Sequence, residues 1–184
     1  MADGTLKVGT ITTSSGSGTI TLGQSGETVD IPSGATVSGA GAMTPAFEAY
    51  LSSDQSISDD TWTKVNIDSE VYDTNPSFAS NKFTPGVAGK YFIYASVLIE
   101  TTGGHEYNLG QTGLYKNGSE ILDGFVKIRG VSANNNPSIT TSSILVLSAG
   151  DYIELYFYTD NSDTNVQIGG GANTFMSGYK LIGI

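Results

Sequence analysis

The one histidine of the chain, His105, is the side chain best suited to act as a general base near neutral pH. A serine–histidine–aspartate triad would have to be assembled around it, since the chain contains no cysteine that could supply a thiol nucleophile. Gly103 and Gly104 precede this histidine directly, which is typical of a loop. We therefore interpret His105 as a solvated or ligand-contacting loop residue and predict that the protein is not an enzyme.

Oxygen-bearing side chains are concentrated between residues 160 and 165, which read Asp-Asn-Ser-Asp-Thr-Asn. Carboxylate and amide oxygens are the ligands that calcium prefers, so Asp160, Asp163 and Asn165 are candidate calcium ligands. The segment lacks the full spacing and the closing glutamate of an EF-hand loop, and a solvated turn is the alternative interpretation. We predict that the protein needs no cofactor, with calcium at these three residues as the open alternative.

Two polar segments combine amide and aromatic groups in the way that sugar-binding loops do. Amides donate and accept hydrogen bonds with hydroxyl groups, and aromatic rings stack on sugar rings. The candidate binding residues are His105, Tyr107, Asn134, Asn135 and Asn136. An ordinary surface loop has the same composition and remains the alternative.

Several other motifs favour turns over chemistry. Gly169-Gly170-Gly171 lacks the lysine and hydroxyl residue of a phosphate-binding loop. Asn117-Gly118-Ser119 fits the N-glycosylation pattern, but Asn-Gly also suits a tight hairpin turn, and we interpret it so. The carboxylate pair Asp59-Asp60 does not point to glycoside hydrolysis, because eighteen acidic residues offer many such pairs.

The composition excludes several classes of partner. Eight basic and eighteen acidic residues give a net charge of -10, which disfavours nucleic acid and anionic membrane surfaces. No segment approaches the roughly 20 consecutive apolar residues of a membrane-spanning helix. The chain contains 24 glycines, and only 14% of its residues are charged, which indicates short strands and many turns. We predict no nucleic-acid binding and no membrane insertion.

The longest β pattern runs from Tyr91 to Ile99 and is apolar on both faces, which predicts a strand covered on two sides. The segment 153–158 alternates, with Ile153, Leu155 and Phe157 facing inward. Between Leu147 and this strand, residues 148–151 read Ser-Ala-Gly-Asp and predict a hairpin turn. No window shows a sustained helical period, so residues 43–184 are predicted to form an all-β head.

Residues 1–42 have a different pattern and are predicted to form a separate β-rich stalk or attachment segment. Short groups of β-branched residues alternate with Gly/Ser turns, and Gly9-Thr10-Ile11-Thr12 returns as Gly18-Thr19-Ile20-Thr21. One copy cannot bury enough apolar surface to offset its ordering entropy, whereas three copies wound together could. A flexible linker is the alternative. The segment resembles the Ser/Gly/Thr-rich repeats in tail-fibre proteins of marine bacteriophages.

A set of short motifs recurs in a fixed order along residues 43–184. They are Ala46-Phe47-Glu48-Ala49, Phe83-Thr84-Pro85, Gly89-Lys90-Tyr91-Phe92, Lys116-Asn117-Gly118, Gly150-Asp151 and Phe175-Met176-Ser177-Gly178-Tyr179. In this order they resemble the globular head of complement component one q and its tumour-necrosis-factor-like relatives. The resemblance implies a ten-stranded jelly-roll β-sandwich that forms a homotrimer and acts by binding.

The resemblance also implies roles for individual residues. It places Phe47, Tyr91 and Phe92 in the core, and Phe175 and Tyr179 near the threefold axis. Burial of strand faces that include Tyr179 and Leu181 would hold the trimer together. These are the predicted core and interface residues, and no immune-type ligand is carried over, because no collagen repeat precedes the head.

From these observations we expect a homotrimeric bacteriophage tail fibre or spike, exterior on the virion, whose head attaches to a host-surface glycan or protein. Residues 1–42 would bind other virion tail proteins. The N-terminus, Met1-Ala2-Asp3-Gly4, shows no signal-peptide pattern, so we expect synthesis in the host cytoplasm. The alternatives are a structural virion component, such as a tail-joining or capsid decoration protein, and a secreted complement-like binding module.

Overall fold

The computed structural model describes residues 10–11, 20–23, 25–33, 43–101, 107–121, 126–131, 136–160 and 166–182, with the backbone alone for 107–108 and 126–131. The chain divides into two compact units, Met1–Val37 and Ser38–Ile184. No described residue of the first unit belongs to a strand. Its exposed apolar side chains are Ile11, Ile20, Leu22, Val29 and Ile31. The predicted stalk and its boundary at residue 42 therefore stay predictions.

The described part of the second unit contains fourteen strands and no helix. The strands are β1 (Ala46–Leu51), β2 (Gln55–Ser56), β3 (Thr63–Lys64), β4 (Ser69–Asp73), β5 (Phe78–Ala79), β6 (Lys82–Phe83), β7 (Gly89–Thr101), β8 (Tyr107–Lys116), β9 (Ser119–Glu120), β10 (Val126–Val131), β11 (Ser138–Leu147), β12 (Ile153–Asp160), β13 (Val166–Gly169) and β14 (Gly171–Lys180). The predicted all-β class is confirmed.

The longest strand, β7, organises the first of two sheets, which we call the β7 sheet. Strand β11 pairs along one edge of β7, while β14 and β13 pair along the other. Strand β14 continues to β1 and then β4, and β13 continues to β2. All of these pairings are antiparallel, as expected for a sheet with one face on the core.

The second sheet, the β12 sheet, is centred on β12. Strand β8 pairs with β12 over eight residues, and β3 and β6 pair with it along its other edge. Beyond these lie β9 and β10 next to β8, and β5 next to β6. The two sheets enclose a single cluster of buried apolar side chains. This layered arrangement is a β-sandwich.

Strict alternation builds the core. Every second residue of β7 from Tyr91 to Ile99 is fully buried, and the inward positions of β12 are buried as predicted. Phe47 of the β7 sheet stacks on Phe83 and Phe78 of the β12 sheet, with ring centroids 4.4 and 5.1 Å apart. Phe83 in turn meets the edge of Tyr91 at 5.6 Å. These aromatic contacts join the two sheets through the middle of the sandwich.

Gly178 on β14 is required by close packing. A Cβ atom at this position would lie 2.6 Å from Ile93 Cδ1 and 2.8 Å from the carbonyl oxygen of Phe92. Gly178 is the register partner of both Phe47 and Ile93, so its missing side chain gives these two residues their space in the core. The glycine of the motif 175–179 is therefore required by the packing of the core.

The turns agree with prediction in two places and differ in one. Asn117 and Gly118 have φ angles of 52° and 76°, which confirms the hairpin turn between β8 and β9. Gly170 connects β13 and β14, as expected for the glycine run. The predicted hairpin at 148–151 is wrong, because β11 pairs with β7 and β12 with β8. This turn carries the chain from one sheet to the other.

The predicted core position of Phe92 is also wrong. Its neighbour Tyr91 is buried, and consecutive residues of a strand point to opposite faces, so Phe92 lies on the outer face of the β7 sheet. Phe47 and Tyr91 are in the core as predicted, both with no exposed surface. The Tyr91 hydroxyl is satisfied inside by donating to the carbonyl oxygen of Val87 at 2.6 Å.

Candidate functional surfaces

The outer face of the β7 sheet carries an apolar band that crosses four strands. Ala46, Tyr179, Phe92 and Ile144 are successive register partners on β1, β14, β7 and β11. Since directly opposed Cβ atoms lie about 4.5–5.5 Å apart, these side chains form a continuous row. The band lies on the side of the sheet that turns away from the core.

The rows beside this band are largely uncharged. The second row is Glu48, Ser177, Tyr94 and Ser142, and the third is Tyr50, Phe175, Ser96 and Thr140. Aromatic pairs link the rows across β7 and β14, with centroids of Phe92 and Tyr179 at 5.7 Å and of Tyr94 and Phe175 at 5.5 Å. Among these three rows Glu48 is the one charged residue.

Aliphatic side chains extend this face toward the edge strand β11. Ile144 is 60% exposed and Val146 is 69% exposed, while Tyr179 is 38% exposed. Soluble proteins seldom leave adjacent aliphatic and aromatic side chains on one sheet face uncovered unless the face binds something. We call this surface, from Ala46 across to Ile144 and Val146, the β7 outer face.

Two of the predicted interface residues, Phe175 and Tyr179, project from β14 onto the β7 outer face. Phe92 of β7, which was predicted as a core residue, lies beside them on the same face. Leu181 follows β14, is partly buried, and donates its backbone N–H to the carbonyl oxygen of Lys90 at 2.8 Å. The structure thus brings three of the six predicted core or interface residues, Phe92, Phe175 and Tyr179, to one side of the sheet.

Ile144 and Val146 were not predicted as surface residues. Their segment, Ile144-Leu145-Val146-Leu147, is a continuous apolar run in which periodicity gives no sign of which side is buried. Leu145 and Leu147 face the core, so the two β-branched residues necessarily face outward. An apolar run on an edge strand would have indicated an exposed apolar face. The sequence does not show that β11 is an edge strand, so this indication could not be used.

The predicted binding segments are flanked by strand ends that meet at one end of the sandwich. The flanking register pairs are Tyr107 with Val131, Leu109 with Asp160, and Thr101 with Val166. The Ile99 backbone N–H also donates to the carbonyl oxygen of Pro137 at 2.9 Å. The described strand ends on either side of 102–106, 132–135 and 161–165 are therefore paired with one another, whereas these three segments themselves lie outside the described residues.

Most of the predicted binding and metal-ligating residues lie outside the described ranges. His105, Asn134, Asn135, Asp163 and Asn165 lie outside them, and Tyr107 is described by its backbone alone. Asn136 and Asp160 are exposed. Within the described residues no group of three or more acidic or histidine side chains could hold a metal ion. Calcium binding at Asp160, Asp163 and Asn165 stays a prediction.

The opposite end of the sandwich is held by a hydrogen-bonded charged turn. The Asp151 carboxylate accepts hydrogen bonds from Lys116 Nζ, Asn117 Nδ2 and the Ser148 backbone N–H, each at 2.8 Å. The hydrogen bonds from Lys116 and Asn117 keep the pKa of Asp151 well below its usual range. Because three donors of the protein bond to the Asp151 carboxylate, we assign this turn a structural role.

Among the residues with described structure, no helix is long and apolar enough to cross a membrane. No model of a known protein family matches the sequence, and no curated protein matches it.

Solved structures do share the fold. The globular domain of zebrafish complement 1qA protein is similar with a TM-score of 0.54 and 13% identity, over 75% of this chain and 98% of that domain. The structure of Eiger TNF from S. frugiperda is similar with a TM-score of 0.51 and 14% identity, over 74% of this chain and 93% of that chain. At these identities the likeness concerns the fold alone. The head of this protein is therefore a jelly-roll β-sandwich of the kind found in complement one q and tumour-necrosis-factor-like domains.

Proposed function

We propose that this chain is a non-enzymatic, homotrimeric attachment protein, a bacteriophage tail fibre or spike whose jelly-roll head binds the host surface. The observation that carries the proposal is the β7 outer face, a broad apolar sheet surface that a single chain leaves open to water. The two structural neighbours are named as a complement domain and a TNF, and neither name is that of an enzyme, which agrees with a head that works by contact and not by catalysis.

Self-association is supported by what the β7 outer face contains. Ile144, Val146 and Tyr179 are exposed by 60%, 69% and 38%, and the adjoining rows hold two charged residues, Glu48 and Lys90, the latter opposite Val146. Burying aromatic and aliphatic groups with few charges is typical of the core of a homo-oligomer interface. Three copies around an axis would cover this face on each chain and leave the other sheet open to solvent.

The exposed apolar side chains of the first unit also support self-association. Leu22 is 63% exposed, Ile11 and Val29 are each 54% exposed, and Ile31 is 52% exposed. Aliphatic side chains that are exposed in one chain contribute to stability through the hydrophobic effect only when other copies cover them. Winding of three such segments would form the stalk, and its far end would attach to other virion proteins.

Multivalency would give the attachment to a host its strength. A trimer presents three copies of each head surface, and several trimers on a particle would raise the effective affinity above that of one site by about 10²–10⁴. Weak single sites on loops or sheet faces are then sufficient. The partner is a host-surface glycan or protein.

Light scattering of the full chain tests the trimer. We expect a mass three times that of the 19.2 kDa chain, independent of dilution over the range in which heads would act. A monomeric mass would contradict both the stalk and the multivalent mechanism, and would leave the β7 outer face to a different partner.

Adsorption of the purified trimer to candidate host cells tests the attachment role. Saturable binding that competes with virions supports an adhesin. Binding to virion proteins without cell adsorption would assign the chain to a tail-joining or decoration role instead. Release of reducing sugar from host envelopes would contradict the non-enzymatic proposal, provided that one carboxylate substitution abolishes it.

A further inference from the structure

A second aromatic surface lies on the outer face of the β12 sheet, on the far side of the sandwich from the β7 outer face. It consists of Trp62, Tyr115, Tyr156 and Tyr158, which we call the Trp62 patch. Trp62 comes directly before β3, Tyr115 projects from β8, and Tyr156 and Tyr158 project from β12. None of these residues belongs to the loops predicted to bind a ligand.

The rings of the Trp62 patch form one continuous row. Tyr158 and Trp62 have centroids 5.4 Å apart, Trp62 and Tyr115 5.9 Å, and Tyr115 and Tyr156 4.0 Å with planes 29° apart. Tyr156 is the register partner of Gly113, so no side chain separates its ring from Tyr115. All four aromatic side chains are half-buried, so each ring contacts the protein on one side and water on another.

Hydrogen-bonding groups are fixed around these rings. The Tyr158 hydroxyl donates to the Asp60 carboxylate. Lys64, the register partner of Tyr156, forms an ion pair with Glu154 with Nζ and Oε1 2.6 Å apart. Burial raises the pKa of Tyr115, and that of Tyr156 is raised by the same cause, so both phenols keep their protons at neutral pH. The patch therefore offers flat apolar rings edged by neutral and charged polar atoms.

This combination differs from a protein–protein interface. The outward residues of β8 and β12 around the rings are Gln111, Gly113, Glu154 and Asp160, and the one aliphatic residue in this register, Leu109, is only 8% exposed. Interface cores are depleted of charge and gain stability by burying aliphatic groups. A sugar ring instead has an apolar C–H face, which packs on aromatic rings, and a rim of hydroxyls, which bond to carboxylates, amides and phenols.

Charge narrows the class of sugar. Carboxylates beside the rings are Asp59, Asp60, Glu120 and Glu154, and the register places two basic residues of β10, Lys127 and Arg129, opposite Gln111 and Leu109. The border thus carries both signs of charge, but the chain as a whole has a net charge of -10, which disfavours an anionic polysaccharide. The net charge leaves neutral sugars as the class that fits.

We propose that the Trp62 patch is a binding site for a neutral glycan, which packs its sugar rings on Trp62 and the three tyrosines. The proposal deepens the attachment function and rests on it for the biological setting alone. Self-association through the β7 outer face would leave this patch open on all three heads, so one particle would offer many equivalent glycan sites.

The test uses the full chain and three gel-embedded neutral polysaccharides, a β-1,4-glucan, an α-1,6-glucan and a galactomannan, with anionic alginate for comparison. We expect slowed migration in at least one neutral gel and none in alginate. Trp62 is the sole tryptophan of the chain, so the same polysaccharide should shift its fluorescence. Trp62→Ala should weaken the retardation about tenfold, the loss expected for a central aromatic anchor.

Tyr156→Ala provides a second patch variant, and Tyr72→Ala, exposed on β4 of the other sheet, is the matched control that should bind normally. Unchanged thermal unfolding shows that each variant is folded. Absence of retardation in all three neutral gels, or retardation that survives both patch substitutions, overturns the proposal. Preferential binding of oligolysine overturns it too, and assigns the patch to a cationic peptide.

These outcomes separate the two proposals. A trimer that adsorbs to cells but ignores neutral polysaccharides keeps the attachment function and loses the glycan site. Glycan binding by a chain that neither trimerises nor adsorbs keeps the site and loses the attachment function.

Discussion

The two outer sheet faces of this sandwich are both rich in aromatic residues, yet they are built differently. On the β7 outer face, Tyr179 and Phe92 are followed along the same row by the aliphatic Ile144. On the β12 face, the aromatic rings are bordered by carboxylates, and the Tyr158 hydroxyl is bonded to Asp60. Aromatic content alone therefore does not distinguish a surface for self-association from one for a polar ligand.

The difference lies in the residues between the rings. Aliphatic side chains gain stability only by leaving water, so a face that exposes them is suited to burial by another copy. Carboxylates lose hydration when buried and need new hydrogen bonds, which a hydroxyl-rich ligand supplies. Each prediction below changes one face, or the core between them, to test this division.

The largest effect is expected from Tyr179→Asp on the β7 outer face. An unpaired carboxylate in the apolar band would be strongly disfavoured on burial, so we expect the trimer to dissociate to monomers. Light scattering measures the change in mass. Tyr156→Asp on the β12 face is the matched control and should remain trimeric. A trimeric Tyr179→Asp variant would show that this face is not the interface.

The next largest effect is expected in the core that both faces share. Phe47→Ala removes the ring stacked between Phe78 and Phe83 and should lower the free energy of unfolding by about 3–5 kcal/mol. Phe92→Ala, one position from buried Tyr91 but on the outer face, should cost much less in a monomeric Tyr179→Asp background. Denaturant unfolding at one protein concentration compares the free energies of unfolding of the two variants. Equal losses of free energy would contradict the placement of Phe47 in the core and Phe92 on the outer face.

The smallest effect concerns the alkaline titration of the β12 face. The hydrogen bond to Asp60 raises the pKa of Tyr158 to about 12, so the folded protein holds this proton to a higher pH than the unfolded chain. The contribution of this bond to stability is complete below about pH 10 and is lost as the pH rises towards 12.

Tyrosinate absorption follows this titration. Burial also raises the pKa values of Tyr91, Tyr115 and Tyr156, so Tyr158→Phe should reduce the late-ionising absorbance by one tyrosine and not abolish it. Asp60→Asn should move the ionisation of Tyr158 to lower pH, because the carboxylate that accepts its hydrogen bond is gone. An unchanged late amplitude in Tyr158→Phe would contradict the assignment.

Much of the architecture could be predicted from local pattern. Alternation in residues 153–158, the apolar run of β7 and the Asn117-Gly118 turn each depend on neighbours in sequence, and the structure confirms them. The turn at 148–151 could not be predicted, because a short glycine turn serves both a hairpin and a connection between sheets. The candidate surfaces were predicted in part, through the aromatic residues of the last strand.

The sequence by itself determined the all-β class, the alternation of each strand and the acidic charge, because these follow from residue types and a period of two. Only the tertiary structure decided which strands share a sheet, and therefore which side chains share a face. Trp62 lies 53 residues before Tyr115 in the chain, yet their rings are 5.9 Å apart, since β3 and β8 flank the same strand, β12. Such long-range pairing depends on the burial of every strand together, which no local pattern encodes.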